Sequence, residues 1–179
     1  MVVKNDTNEV GDADPGLFFS GSNSNIAKAT SASGLSLLAL DVNLLNPNWS
    51  TLKFGNLEIT PSLFTSTSSD FYYNVPSSGK YIINLNFKNQ TVLSLGVAAN
   101  SQIGILKTSG STTSLIDSKF VNAISLALVA NYYFETIHSV YEFAAGDKIR
   151  FVYNKGALNI GLGLLSNASG SVVLYKIAD

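Results

Sequence analysis

A single histidine, His138, stands in Thr136-Ile137-His138-Ser139-Val140, and the chain has no cysteine. A zinc site needs several nitrogen, sulfur or carboxylate donors, so one imidazole without thiolates does not compose one. A Ser–His–Asp triad is assembled in space and its members need not be neighbours in sequence. Yet no Gly-x-Ser-x-Gly elbow flanks any serine, so nothing marks a nucleophile. Gly161-Leu162-Gly163-Leu164-Leu165 has the glycine spacing of a phosphate loop, but no Gly-Lys-Ser/Thr follows it. Glycine between apolar residues more often marks a bulge or a close approach of strands. The acidic residues are scattered, with Asp12 and Asp14 the closest pair, so a two-carboxylate glycosidase would have to draw on distant positions. Asp147, in Ala145-Gly146-Asp147-Lys148, has calcium-ligand chemistry, but turn aspartates usually bond their own backbone, and that is the role expected here. The expectation is therefore no catalytic residue, no metal and no cofactor.

The elements around these residues are strands. Tyr81, Ile83, Leu85 and Phe87 alternate with Ile82, Asn84 and Asn86, the period of a half-buried strand. Pro76-Ser77-Ser78-Gly79 bounds it as a turn. Ile103–Lys107, Ile149–Tyr153 and Ser171–Ile177 read as further strands, each beside a Gly-containing turn. Leu38, Leu40, Val42 and Leu44 form an earlier alternating set, ended by Asn46-Pro47-Asn48. Val121–Ala130 has a composition a short buried helix could also use. Its strand neighbours and the following Tyr132-Tyr133-Phe134 favour a strand. The aromatic triplets Phe71-Tyr72-Tyr73 and Tyr132-Tyr133-Phe134 put neighbouring rings on opposite faces, so some rings point away from the core. Many short strands separated by turns predict an all-β sandwich or closed roll.

Composition narrows the class. Hydrophobic residues are 46% of the 179, charged residues only 13%, and the net charge is −1. So little charge suggests a surface partly covered by other subunits. No run of Lys or Arg offers a footprint for nucleic acid. No apolar stretch reaches the ~20 residues that span a bilayer, so membrane insertion is not expected. Met1–Glu9 lacks the basic-then-apolar order of a secretory signal and is not expected to act as one. Residues 1–35 are polar, and Ser20–Ser33 is nearly all Ser, Asn, Ala and Thr, too little apolar surface to fold alone. Leu17, Phe18 and Phe19 interrupt that polarity like an anchor. We therefore expect an extended attachment arm over 1–35 and one domain over 36–179.

The order of segments from Leu45 to Asp179 resembles the C1q and tumour-necrosis-factor superfamily of trimeric jelly rolls, in its bacterial and phage versions. Asp70-Phe71-Tyr72-Tyr73-Asn74-Val75-Pro76-Ser77-Ser78-Gly79-Lys80-Tyr81-Ile82-Ile83 is similar to that family's aromatic strand running into Val-Pro-x-x-Gly-x-Tyr. Ser139–Phe151, with Ala145-Gly146-Asp147 at its centre, is similar to its later strand, turn and strand. Ser171–Ile177 stands where the closing strand belongs. A collagen-like stalk is missing, and Val92–Ala99 matches poorly. The resemblance implies a two-sheet antiparallel jelly roll that assembles as a homotrimer. Tyr81, Ile83, Phe151, Tyr153, Leu174 and Tyr175 are assigned to the subunit interface. The low charge, the lack of cysteine and of a signal-like start, and the arm favour a non-enzymatic virion component, a fibre tip, head fibre or capsid-decorating protein, held to other virion proteins through the arm. The alternative is an adhesion module on a bacterial cell or spore surface, binding glycan or protein. Tyr132, Tyr133, Asn154 and Asn159 are the expected surface for a host glycan.

Overall fold

The computed structural model describes residues 2–4, 10–12, 25–40, 49–91, 101–126, 130–154 and 167–179. Among these, regular structure is antiparallel strand, apart from one 3-10 turn at Pro61–Leu63. In chain order the strands are β1 (Val2–Lys4), β2 (Val10–Asp12), β3 (Ile26–Ser31), β4 (Ser36–Ala39), β5 (Trp49–Lys53), β6 (Asn56–Ile59), β7 (Phe64–Ser66) and β8 (Phe71–Asn74). They continue with β9 (Gly79–Thr91), β10 (Gln102–Ser109), β11 (Thr112–Phe120), β12 (Asn122–Leu126), β13 (Ala130–Phe143), β14 (Lys148–Asn154) and β15 (Ala168–Ala178).

Two sheets carry the core. One runs β12-β13-β9-β15-β3-β6. The other runs β11-β10-β14-β5-β4, with β8 also paired to β14 and β7 to β8. β14 is shared along its length: Val152–Asn154 pair with β5, and Lys148 and Ile149 with β8. The hairpin β1–β2 forms a separate two-stranded ladder. All-β architecture with two stacked antiparallel sheets is what the alternating patterns require.

The alternation in β9 decides its orientation. Tyr81, Ile83 and Leu85 are wholly buried and Phe87 nearly so, while Ile82, Asn84 and Asn86 turn to the other face. Opposite them, Ile103, Ile105, Ile149 and Phe151 close the core from the second sheet. Aromatic rings bridge the layers: Phe87 stacks on Tyr153 at 5.3 Å between centroids, and Phe54 meets Phe71 and Phe151 at 5.6 and 6.1 Å. A smaller cluster of Trp49, Leu106 and Val152, with Leu40 against it, is separate from this core.

β3 lies inside the segment assigned to the arm. Its alternation puts Ala27 and Ala29 into the core at zero exposure, and it pairs with β15 from Ile26 to Ser31. The sandwich thus begins upstream of residue 36. Small alanines facing in and Lys28 and Thr30 facing out make a strand whose composition reads as merely polar. Leu17, Phe18 and Phe19 lie outside the described residues.

Candidate binding and assembly face

The outer face of the six-stranded sheet is built by registered rows of side chains. Cross-strand pairing sets Val140 beside Ile82, Ile82 beside Tyr175, and Tyr175 beside Ile26. All four alternate with core residues and so point outward. Val140 is 51% exposed; Ile26, Ile82 and Tyr175 are half-buried. Two residues along each strand, His138 pairs with Asn84, Asn84 with Val173, and Val173 with Lys28. His138 is exposed. The apolar row and its Val173 neighbour form a patch on a face whose other residues are mostly polar, among them His138, Lys28, Asn84 and Asn86.

Two residues further, the row turns polar. Thr136, Asn86, Ser171, Thr30 and Asn56 follow one another across β13, β9, β15, β3 and β6. Thr136 Oγ1 donates to Asn86 Oδ1 at 2.9 Å, and Asn86 Nδ2 donates to Ser171 Oγ at 3.2 Å. Thr30 Oγ1 donates to Glu58 at 2.5 Å, and Lys28 bridges the same carboxylate at 2.6 Å. Thr136, Asn86, Ser171, Thr30 and Glu58 line an open depression of about 510 Å³, rimmed by Lys88, Glu135 and the 44%-exposed Phe134. The hydrogen bond and charge of Lys28 hold the Glu58 carboxyl below the usual carboxylate range. A general acid needs the opposite shift. Glu58 is thus an ionised acceptor, unsuited to protonating a leaving group.

The second sheet carries a charged network on its outer side. Arg150 grips Asp70 with two bonds, Nε to Oδ1 at 3.0 Å and Nη2 to Oδ2 at 2.8 Å, and reaches Thr108 at 3.1 Å. Its guanidinium lies 4.9 Å from the centre of the Tyr72 ring, with the Lys148 ammonium 5.1 Å from the same ring. Burial pushes the Asp70 carboxyl up, but the Arg150 bonds and charge outweigh it, and the pKa lies below the ordinary value. Tyr72 is therefore a cation platform bracing β8 against β14.

Asp147 plays the turn role. One carboxylate oxygen accepts the Ala144 N–H at 2.9 Å, the other accepts the Ser109 hydroxyl, and Gly146 supplies the φ of +85° that the turn demands. No cluster of three or more His, Asp or Glu side chains suited to a metal occurs among the described residues. None of the described helices is long and apolar enough to cross a membrane.

The assigned interface residues divide unevenly. Tyr81, Ile83, Phe151, Tyr153 and Leu174 sit between the two sheets, at 0 to 5% exposure. Their side chains are spent within the subunit, and this corrects their assignment to a subunit contact. Tyr175 alone turns outward, into the apolar row. The strongest alternating set on each strand went to the intramolecular core, leaving the weaker set of Ile82, Val140, Val173 and Ile26 on the outer face. Of the expected glycan surface, Asn154 is buried, also correcting its placement, and Asn159 lies outside the described residues. Tyr132 and Tyr133 lie in β13, paired with Gln90 and Asn89. Thr30, Glu58 and Ser171 had no sequence signal of their own, whereas Phe134 belongs to an aromatic triplet expected to point some rings away from the core; only strand register brings the four together.

No family model matches the chain, and no curated protein matches it. Its fold does match solved structures. The structure titled Eiger TNF from S. frugiperda superposes with a TM-score of 0.52 at 14% identity, covering 86% of this chain and 92% of that one. At that identity the likeness concerns fold: the chain is a two-sheet TNF-like jelly roll.

Proposed function

We propose that this protein is a non-enzymatic binding and assembly module that functions as a homotrimer, closed through the outer face of the six-stranded sheet. The observation that carries this reading is the apolar row Ile26–Tyr175–Ile82–Val140, with Val140 51% exposed, on a chain only 13% charged. A cyclic arrangement hides such a patch on every copy without leaving an open edge for further growth. At ~25 cal/mol per Å², an obligate contact of ~2,000 Å² exceeds the usual cost of association. The absence of a poised acid at Glu58, and the use of Asp147 within its own turn, support binding over catalysis.

For the biological setting we favour a virion component: a fibre tip, head fibre or capsid-decorating protein joined to other virion proteins through the segment around Leu17, Phe18 and Phe19. Low charge and freedom from cysteine suit a module embedded in a larger particle. The polar depression favours a second reading, the same trimer as an adhesion module on a bacterial cell or spore surface. Mass spectrometry of purified particles against cell-envelope and spore-coat fractions separates the two. Enrichment in particles supports the first, and enrichment in envelope or coat supports the second.

The assembly is tested by Val140→Asp. Burying an uncompensated carboxylate in an apolar contact costs several kcal/mol. We expect the variant to elute as a folded monomer with an unchanged β circular-dichroism spectrum. Elution identical to the parent chain contradicts the assigned face.

A further inference from the structure

We infer that the depression floored by Asn86, Ser171 and Thr136 is a binding site for a neutral, hydroxyl-rich ligand, a carbohydrate, with Phe134 as its apolar wall. The inference rests on the reading of the molecule as a binding protein and deepens it to a ligand class and a place.

Hydrogen-bond polarity across the floor carries the argument. Thr136 spends its proton on Asn86 Oδ1, which leaves the Thr136 oxygen as an acceptor facing the depression. Ser171 Oγ accepts from Asn86 Nδ2, which leaves the Ser171 hydroxyl proton free to be donated. One amide on β9 thus orients an acceptor and a donor on the two strands that flank it, β13 and β15, about two strand spacings or ~10 Å apart. Sugar hydroxyls both donate and accept, and they match such an alternating pair better than a carboxylate or an ammonium would. The groups already bond one another, so little side-chain freedom is lost when a ligand arrives.

Charge supports neutrality. Glu58 is neutralised by Lys28 at 2.6 Å, and the rim carries one further side chain of each sign, Glu135 and Lys88. A charged ligand would find no net counter-charge there. Phe134 stands two residues from Thr136 on the same strand face, 44% exposed beside hydroxyls. An exposed ring among polar groups offers an apolar face to the C–H side of a pyranose. The volume of about 510 Å³ lies within the range of small-molecule sites. The polar row is four residues along the strands from the apolar row, about 13 Å, so the site requires a trimer contact that runs from Val140 away from Thr136.

The test is ligand-observed saturation-transfer NMR on the full chain. The probes are glucose, galactose, mannose and N-acetylglucosamine, with sialic acid and inorganic phosphate as charged comparators. We expect saturable millimolar binding of at least one neutral sugar. Phe134→Ala and Asn86→Ala should each weaken it about tenfold or more, with melting temperature and native mass unchanged. Binding of no neutral sugar at all, binding of the charged probes only, or undiminished binding in both variants overturns the proposal. So does dissociation of the assembly by Phe134→Ala, which would show a second copy seated on the depression. Val140→Asp keeps the two ideas apart: sugar binding retained by that variant supports the site whatever the oligomeric state.

Discussion

At the scale of single residues, the fold leans on a few polar groups whose environments make definite demands. Asp70 and Arg150 form a two-pronged bridge in which Arg150 is only 11% exposed and Asp70 35% exposed. The Asp70 pKa is depressed in the folded state, so its stabilisation is complete above the ordinary carboxylate range. It is lost as pH falls through the folded value. Asp70→Asn should therefore cost about 1 kcal/mol at neutral pH, after allowance for solvent screening, and flatten the fall in stability below pH ~4. Thermal melts of both proteins from neutral to acid pH check this; parallel curves would show that the bridge is not the acid-sensitive element. Tyr73 makes the opposite case. Its hydroxyl is buried with no hydrogen-bond partner among the described residues, and burial drives its pKa upward. Tyr73→Phe removes an unsatisfied group while keeping the ring packed on Phe64 and Tyr81, so stability should hold or rise by up to ~1 kcal/mol in denaturant titrations. A marked loss would mean that the hydroxyl has a partner.

Among the elements, register carries more information than composition. β9, β14 and β15 were legible because large apolar residues recur at period two beside Gly-containing turns. β3 was not, because its inward set is Ala27 and Ala29, which bury fully yet contribute little hydrophobic signal. The same limit explains the interface assignment. Alternation identifies which residues share a face, and Tyr81, Ile83 and Leu174 do share one. It does not say whether that face meets the other sheet or another subunit. Energetics settles this in favour of the other sheet, since the larger apolar set gains most where both layers exclude water. The polar depression was invisible for a related reason, since Thr30, Asn86, Thr136 and Ser171 come from four strands spread along the chain. Gly104 shows close packing at this scale. A methyl placed there would lie 3.0 Å from both Leu115 Cδ1 and the Asp117 carbonyl and 3.1 Å from the Trp49 ring. Gly104→Val should destabilise by about 1–3 kcal/mol and shift the fluorescence of Trp49, the chain's sole tryptophan. An unaltered emission spectrum and melt would show that β11 and Trp49 give way freely.

For the molecule as a whole, the two faces of the six-stranded sheet divide the labour. The inner face, with Tyr81, Ile83, Leu85, Val172 and Leu174, holds the subunit together. The outer face, from the apolar row at Val140 to the polar row at Thr136, is the one we propose meets other molecules. This division explains why a chain with so few charges can fold as a jelly roll and still keep exposed aliphatic side chains in register. On the proposed assembly, folding and association are separable, since different faces of the same strands serve each. The most direct test is the native mass of the unaltered protein at micromolar concentration. The account predicts one species near three times 19.0 kDa. A stable single-subunit species at that concentration would contradict it.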